Sequence, residues 1–414
     1  MSFTTSIPDW YLSRRGRVFS LVGLLAVTWF VLSIYRVMFS VALPDVTAVT
    51  SVTYTQATIL FGALFVGYAV SQFPAGSLAD KLGVRTVLLC GAGVASVALA
   101  SLSVAGSYGH VLSALFLIGA GLGSFRSVSQ VAISAYAPKD HEGKALGLLT
   151  AAEPFSYVVG PATVAVLIEQ TGLFTMPLLL ALAPLPLIGA LAIGFGHQRG
   201  ATKTAIETPS LRVGFSTVTD HLFDRATLLI LGFGTAFSAT TNALIAILPW
   251  YVVETTGLSL TVGNFYAGVI FGSGAVAALL GGVLRDRIGS YPILVGGFAG
   301  AALIVPFLAV VSSLFWVLFV LGAFSLALNS ILPARDHVIN GYSRACTDSE
   351  TGAMIGGLRS LCYLGGGIVA VGIGLTFAQF GRVGGFGLLS TVLIVGGCCV
   401  SLLWETDNEY WLNQ

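Results

Sequence analysis

Gly76-Ser-Leu-Ala-Asp80-Lys-Leu-Gly83 and Gly282-Val-Leu-Arg-Asp286-Arg-Ile-Gly289 are two copies of one short polar motif. Each copy follows a long apolar run, and each places an aspartate beside basic residues, four positions after its first glycine. An offset of about 205 to 209 residues relates further positions: Val41-Ala-Leu-Pro44 to Ala246-Ile-Leu-Pro249, Arg126 to Arg335, and Gly143/Gly147 to Gly352/Gly356. The chain therefore contains an internal duplication, which is typical of transporters whose site lies between two repeated halves.

The composition indicates which solvent surrounds this duplicated unit. Only 9% of the 414 residues are charged, whereas soluble domains average about 25%. The hydrophobic fraction is 56% and the mean hydropathy is +0.91. These values exclude a disordered chain and an ordinary soluble enzyme, and they indicate that most of the chain lies in a lipid bilayer. A net charge of +1 gives no basic field for nucleic acid.

Apolar runs of about 20 residues predict membrane-crossing helices. Twelve such runs lie near residues 18–43, 54–78, 84–106, 110–136, 144–169, 173–196, 226–252, 260–284, 290–313, 315–339, 352–380 and 384–404. We therefore expect an all-α membrane protein with twelve transmembrane helices in two pseudo-symmetric six-helix halves. The predicted N-terminal half is 1–196, the cytoplasmic linker is 197–225, and the C-terminal half is 226–414.

The distribution of basic residues predicts how the chain is oriented in the membrane. Fourteen of the nineteen Lys and Arg residues fall in one set of loops, and only Arg382 falls in the other set. Because cytoplasmic loops carry the excess of basic residues, both termini are expected in the cytoplasm. We expect a multi-pass monomer in the cell membrane. No cofactor, metal cluster or GxxxxGK[ST] nucleotide motif is indicated, so a transporter is expected rather than an enzyme or an ATP-driven pump.

The stretch GYAVSQFPAGSLADKLGVRT, residues 67–86, resembles the signature between the second and third helices of the major facilitator superfamily. Asp80, Lys81, Gly83 and Arg85 match that pattern. The resemblance implies secondary transport by alternating access, with this loop as a cytoplasmic gate formed by Asp80, Arg85 and, in the second copy, Asp286. We add Arg335 to the gate because it aligns with Arg126 close to a predicted helix end, where its side chain can also snorkel to the surface.

Four arginines remain inside the predicted spans, where charge is costly: Arg36, Arg126, Arg335 and Arg359. Glu153 is the clear intramembrane acid. The stretch from Tyr35 to Pro44 resembles the first helix of the anion:cation symporter branch, in which such an Arg contacts the anionic substrate. That branch also carries an Arg and a Glu on helix four, where this chain has Leu115 and Leu122, so its coupling chemistry is not carried over.

The excess of buried positive charge predicts an anionic substrate. Arg36, Arg126 and Arg359 are expected to bind it. Tyr35, Tyr157 and Asn329 are expected to donate hydrogen bonds to it, although each can equally bond another helix. Glu153 lies at a depth similar to that of Arg126, so the two can form either a proton-linked switch or a static salt bridge.

The predicted function is therefore secondary transport of a small, organic anion, with H+ as the favoured coupling ion. The alternative is a proton-driven exporter of lipophilic or cationic compounds, which requires an acidic, aromatic cavity. Only Glu153 fits that requirement.

Overall fold

The computed structural model describes residues 14–49, 54–136, 142–196, 219–346 and 351–411. Within these ranges all regular structure is helical, as a lipid environment demands, because a helix satisfies its own backbone hydrogen bonds. The helices are α1 (Arg14–Val49), α2 (Tyr54–Leu82), α3 (Val84–Ser101), α4 (Tyr108–Tyr136), α5 (Glu142–Thr171), α6 (Met176–Leu182), α7 (Leu185–Gly196), α8 (Arg225–Thr256), α9 (Leu260–Ile288), α10 (Ser290–Ile304), α11 (Leu314–Cys346) and α12 (Thr351–Trp411). Most of the predicted linker, residues 197–218, lies outside the described residues.

Ten segments of the described chain are long and apolar enough to cross a membrane. The last of these, Met354–Thr406, passes through Gly381, whose φ of 63° interrupts α12 and divides it into two arms. A shorter apolar stretch, Ile59–Gln72, lies in α2. The two arms of α12 count as two crossings, and α2 adds one more to the ten segments. The short helices α6 and α7 together form one crossing. The resulting count is consistent with the twelve predicted crossings.

The helix that contains the tenth predicted span is longer than that span. The sequence places that end near residue 339, whereas α11 continues to Cys346. Arg335 is therefore about 16 Å from the end of its helix, at 1.5 Å per residue. Arg335 therefore does not lie at a helix terminus.

Two buried apolar clusters form the core. One is built almost wholly from α1–α7, and the other from α8–α12. Glycines allow close helix packing within the first cluster: an added Cβ at Gly119 would lie 2.0 Å from the Leu64 carbonyl oxygen. Small residues at such contacts are the usual means of packing helices in lipid. On the outer surface, exposed side chains such as Leu279 and Val97 are apolar.

The two sets of helices meet through α2 with α12, α5 with α9, and α1 with α8. Gly62 on α2 packs against Val371, and Gly268 on α9 packs against the Val158 carbonyl. Both glycines are eight residues into their helices, on the side opposite the end where α1 begins. We call the end where α1 begins the basic end, since Lys81, Arg85, Arg285 and Arg287 cluster there.

Candidate functional site

Arg36 lies at the centre of the first core cluster and is only 1% exposed. Its guanidinium forms an ion pair with Glu153 on α5. The guanidinium carbon also lies 4.7 Å from the Tyr68 ring centroid and 5.6 Å from that of Phe65. A charge buried this deeply requires a partner, and the carboxylate together with the aromatic faces supplies one.

Three side chains contact the Glu153 carboxylate. Besides Arg36, the Tyr157 hydroxyl donates to Glu153 Oε1 at 2.9 Å, and Arg126 Nε lies 3.9 Å from Glu153 Oε2. The sequence suggested a pair between Arg126 and Glu153. The structure instead makes Arg36 the close partner and Arg126 the looser one, with Arg126 also donating to Thr150 at 3.4 Å. We call Arg36, Arg126 and Glu153 the N-terminal triad.

A second group of charges lies on α11 and α12. Arg335 donates to Asp336 Oδ1 from Nε at 3.1 Å and from Nη2 at 2.9 Å. Arg359 Nη2 lies 3.5 Å from Asp336 Oδ2. Arg335 is only 7% exposed and packs over the Phe237 ring at 4.6 Å, whereas the Asp336 and Arg359 side chains are 37% and 27% exposed. We call Arg335, Asp336 and Arg359 the C-terminal triad.

The two triads come near each other at the boundary between the halves. Arg126 is within electrostatic reach of Asp336. Tyr363 on α12 is within electrostatic reach of both Arg36 and Arg335. The Tyr363 ring also meets Tyr68 edge-on, with 5.6 Å between their centroids. The six charged groups therefore form a single candidate site lined by tyrosines.

The candidate site carries a net positive formal charge. Four arginines and two carboxylates give the two triads together a formal charge of +2. Three buried guanidinium N–H groups, Arg36 Nε, Arg126 Nη1 and Arg359 Nε, have no acceptor in the part of the chain that the structure describes. Buried donors of this kind are costly unless an acceptor reaches them, and an oxyanion is a suitable acceptor.

The structure brings Tyr157 into the site, but it gives Tyr35 and Asn329 other contacts. The Tyr35 hydroxyl donates to the Leu180 carbonyl at 3.1 Å and lies 3.4 Å from Ser96, inside the N-terminal core. Asn329 donates to the Ser325 carbonyl at 3.0 Å and to its hydroxyl at 3.2 Å. Tyr35 therefore links α1 to α6 and α3, whereas the Asn329 bonds lie within α11.

The predicted gate residues lie apart from the triads, with the exception of Arg335. Arg85 is half-buried at the start of α3. Asp286 is 67% exposed and pairs with the adjacent Arg285 at 2.6 Å. The side chain of Asp80 lies outside the described residues. Arg85, in the first turn of α3, and Asp286, in the last turn of α9, lie at the basic end.

Sequence reasoning missed Asp336, Tyr68 and Tyr363 as members of the site. Asp336 immediately follows Arg335, and a longer estimate of α11 would have placed both away from the helix end. Asn242 is another buried polar group at the boundary between the halves. It is 1% exposed, it lines a cavity with Phe61 and Phe65, and neither of its amide atoms has a partner among the described residues.

Comparison with known proteins agrees with this architecture. A family model described as Major Facilitator Superfamily matches residues 25–339. Among solved structures, a bacterial homologue of the human lysosomal transporter Spinster, in an inward-facing and unoccupied conformation, has a TM-score of 0.68. It is 14% identical, and the match covers 94% of this chain and 95% of that one. A POT family transporter in complex with 5-aminolevulinic acid has a TM-score of 0.76 at 12% identity, covering 92% and 95% of the two chains.

Curated relatives include a protein named as a transporter and a protein named for drug resistance. The "Probable sulfoacetate transporter SauU" of Cupriavidus necator is 26% identical over 279 residues, which are 65% of each chain. The chain thus spans slightly less than two thirds of that relative's length. The "Fosmidomycin resistance protein" of Escherichia coli is 24% identical over 334 residues, 78% of each chain. The match over residues 25–339, together with the two repeated helical halves, shows that the chain belongs to the Major Facilitator Superfamily.

Proposed function

We propose that this protein is a secondary transporter that carries a small organic anion across the cell membrane in exchange for, or together with, protons. The observation that carries the proposal is the N-terminal triad. Two guanidinium groups share one carboxylate, and one of them, Arg36, is almost fully buried in the middle of the bundle. A net positive charge of this kind attracts an anion and repels a cation.

The proposed coupling step follows from competition for the same donors. An incoming carboxylate or sulfonate takes hydrogen bonds from Arg36 and Arg126, and Glu153 then loses part of the charge that keeps it ionised. A carboxylate that has lost its cationic partners and lies in a low dielectric takes up a proton more readily. Substrate binding and protonation of Glu153 are therefore linked, with Tyr157 holding Glu153 Oε1.

The conformational step is proposed as rocking of residues 1–196 against residues 226–414. Contacts between α2 and α12 and between α5 and α9 hold the halves together away from the basic end. The loops with Asp80, Arg85 and Asp286 are proposed to close the basic end, which we assign to the cytoplasm together with both termini. This arrangement agrees with repeated halves moving about a site at their boundary.

Two named relatives bear on the choice of substrate. One is named as a probable transporter of sulfoacetate, which is an organic anion. The other is named for resistance to fosmidomycin, so a test of substrates should measure both uptake and export. Export of a lipophilic cation remains the alternative. It is disfavoured because the described triads hold four arginines against two carboxylates.

Ligand-induced stabilisation of the purified protein tests the binding site. Sulfoacetate and other small carboxylates and sulfonates should raise the melting temperature, because a ligand that binds only the folded state stabilises it. Arg36→Gln should abolish the shift, whereas Arg382→Gln, at an exposed pair with Glu254 of 3.9 Å, should keep it. Stabilisation by lipophilic cations alone would contradict the proposal.

Transport under a pH gradient tests the coupling role. In proteoliposomes, wild type should accumulate the anion when a gradient is imposed. Glu153→Gln should lose this accumulation while retaining exchange of labelled for unlabelled anion, because the exchange does not require net proton movement. Gradient-driven accumulation by Glu153→Gln equal to that of wild type would exclude Glu153 as the proton-linked group.

A further inference from the structure

The C-terminal triad repeats the composition of the N-terminal triad. Each triad contains two arginines around one carboxylate, and each therefore has a formal charge of +1. Arg126 and Arg335 also occupy equivalent positions in the internal repeat. The two carboxylates are not repeat-related: Glu153 is on α5, whereas Asp336 directly follows Arg335 on α11. The same charge balance is thus reached in both halves by different residues.

Both triads also contain arginine N–H groups that donate no hydrogen bond to the described residues. In the N-terminal triad, Arg36 Nε and Arg126 Nη1 have no acceptor among the described residues, and in the C-terminal triad the same is true of Arg359 Nε. Arg359 is held by Asp336 at 3.5 Å, which is a loose ion pair compared with the hydrogen bonds that join Asp336 to Arg335. Each half therefore presents one firmly paired arginine and one loosely paired arginine: Arg36 and Arg126 in the N-terminal half, Arg335 and Arg359 in the C-terminal half.

We propose that the site takes an organic dianion whose two acid groups bind separately, one at Arg126 in the N-terminal triad and the other at Arg359 in the C-terminal triad. This inference rests on the proposed function and narrows it. A monoanion neutralises only one of the two triads and leaves the other with its excess charge. A dianion neutralises both, and because its acid groups lie in different halves it also draws the halves together around the substrate.

In this arrangement the Tyr363 and Tyr68 rings lie between the two anion-binding groups. Their rings are in contact at 5.6 Å across the boundary between the halves. Tyr363 is within electrostatic reach of an arginine from each triad. The short carbon chain that joins the two acid groups would pass this aromatic contact, where an uncharged segment is favoured over a third charge.

Calorimetric titration of the purified full-length protein with matched ligands tests the inference. The probes are sulfoacetate, which has two acid groups, and methanesulfonate and acetate, which have one each. Wild type should bind sulfoacetate at least about 10-fold more tightly than either monoanion, since one added charged hydrogen-bonding contact corresponds to about that factor. A series of unbranched dicarboxylates would then identify the spacing between the acid groups that suits the site.

The variants separate this inference from the proposed function. Arg359→Gln should reduce sulfoacetate affinity to near that of the monoanions, because only the N-terminal triad can then hold an acid group. Asp336→Asn should tighten sulfoacetate binding, because it removes the competing carboxylate. Arg382→Gln is the matched control and should behave as wild type.

Equal affinity of wild type for sulfoacetate and the monoanions would overturn the two-triad inference and leave the anion site intact. An unchanged preference for sulfoacetate in Arg359→Gln, with the wild-type melting temperature retained, would overturn it as well. If no anion binds wild type at all, the proposed function fails together with this inference.

Discussion

Arg36 is the residue whose environment says most about this protein. Its guanidinium is nearly inaccessible, and the carboxylate that neutralises it is 117 positions away in the sequence. Sequence reasoning could select Arg36 because a charge deep in a membrane helix is costly and rare. It could not identify the partner, because the pairing depends on how α1 packs against α5, and only the tertiary structure determines that.

Glu153→Gln is predicted to destabilise the protein in the absence of substrate. The change leaves Arg36 buried without a counter-charge, and breaking a buried pair in this way costs about 3 kcal/mol. Thermal unfolding in detergent should show a clear loss in melting temperature. Glu254→Gln, which removes a half-exposed partner of Arg382 at 3.9 Å, should change stability by less than about 1 kcal/mol. Equal effects of the two substitutions would show that burial of the N-terminal triad has no energetic consequence.

Two tyrosine substitutions should have different effects on anion affinity. Tyr157→Phe removes the donor to Glu153 Oε1 and should lower anion affinity by roughly 10-fold, because hydrogen bonds to charged groups contribute about 1.5–3 kcal/mol. Tyr35→Phe removes a bond to the Leu180 carbonyl, so it should lower stability and leave affinity unchanged. Titration of both variants with sulfoacetate checks this. A larger affinity loss for Tyr35→Phe than for Tyr157→Phe would indicate that Tyr35 belongs to the binding site.

At the scale of elements, the helices of the two halves meet at matched glycines. Gly62 and Gly268 have equivalent positions in the repeat, and each permits a helix of the other half to approach. The duplicated motif predicts such symmetry, and the existence of the helices follows from apolar length alone. The end of α11 was less predictable, because Asp336 forms ion pairs with Arg335 and Arg359 instead of marking the end of the helix.

Gly268→Ala is predicted to shift the balance between conformations. The added Cβ would lie 2.2 Å from the Val158 carbonyl oxygen, which forces α9 and α5 apart at a cost of about 1–3 kcal/mol. Distances measured by double electron–electron resonance, between spin labels at the ends of α5 and α9 opposite the basic end, should become longer or broader. Gly296→Ala, which meets open space, is the control and should leave the distances unchanged. An unchanged distribution in Gly268→Ala would show that this contact does not hold the halves together.

For the whole molecule, the low charge content of the sequence already predicts a membrane protein, and the repeat predicts its two halves. The chemical character of the site was predicted in part. Arg36, Arg126, Glu153 and Arg359 were identified as buried charges, whereas their division into two triads depends on Asp336, which lay too near a predicted helix end to be chosen. Charges that neutralise each other across helices leave no pattern in a single sequence, so this part of the site required the structure.

The central claim is that the protein transports a small organic anion through a site that requires Arg36. Uptake of labelled sulfoacetate into proteoliposomes tests it most directly. Wild type is predicted to move sulfoacetate well above protein-free vesicles, and Arg36→Gln is predicted to reduce the initial rate by at least about 10-fold, since a lost charged contact corresponds to that factor. Equal rates for wild type and Arg36→Gln, or transport of cationic compounds with no organic anion transported, would contradict the account.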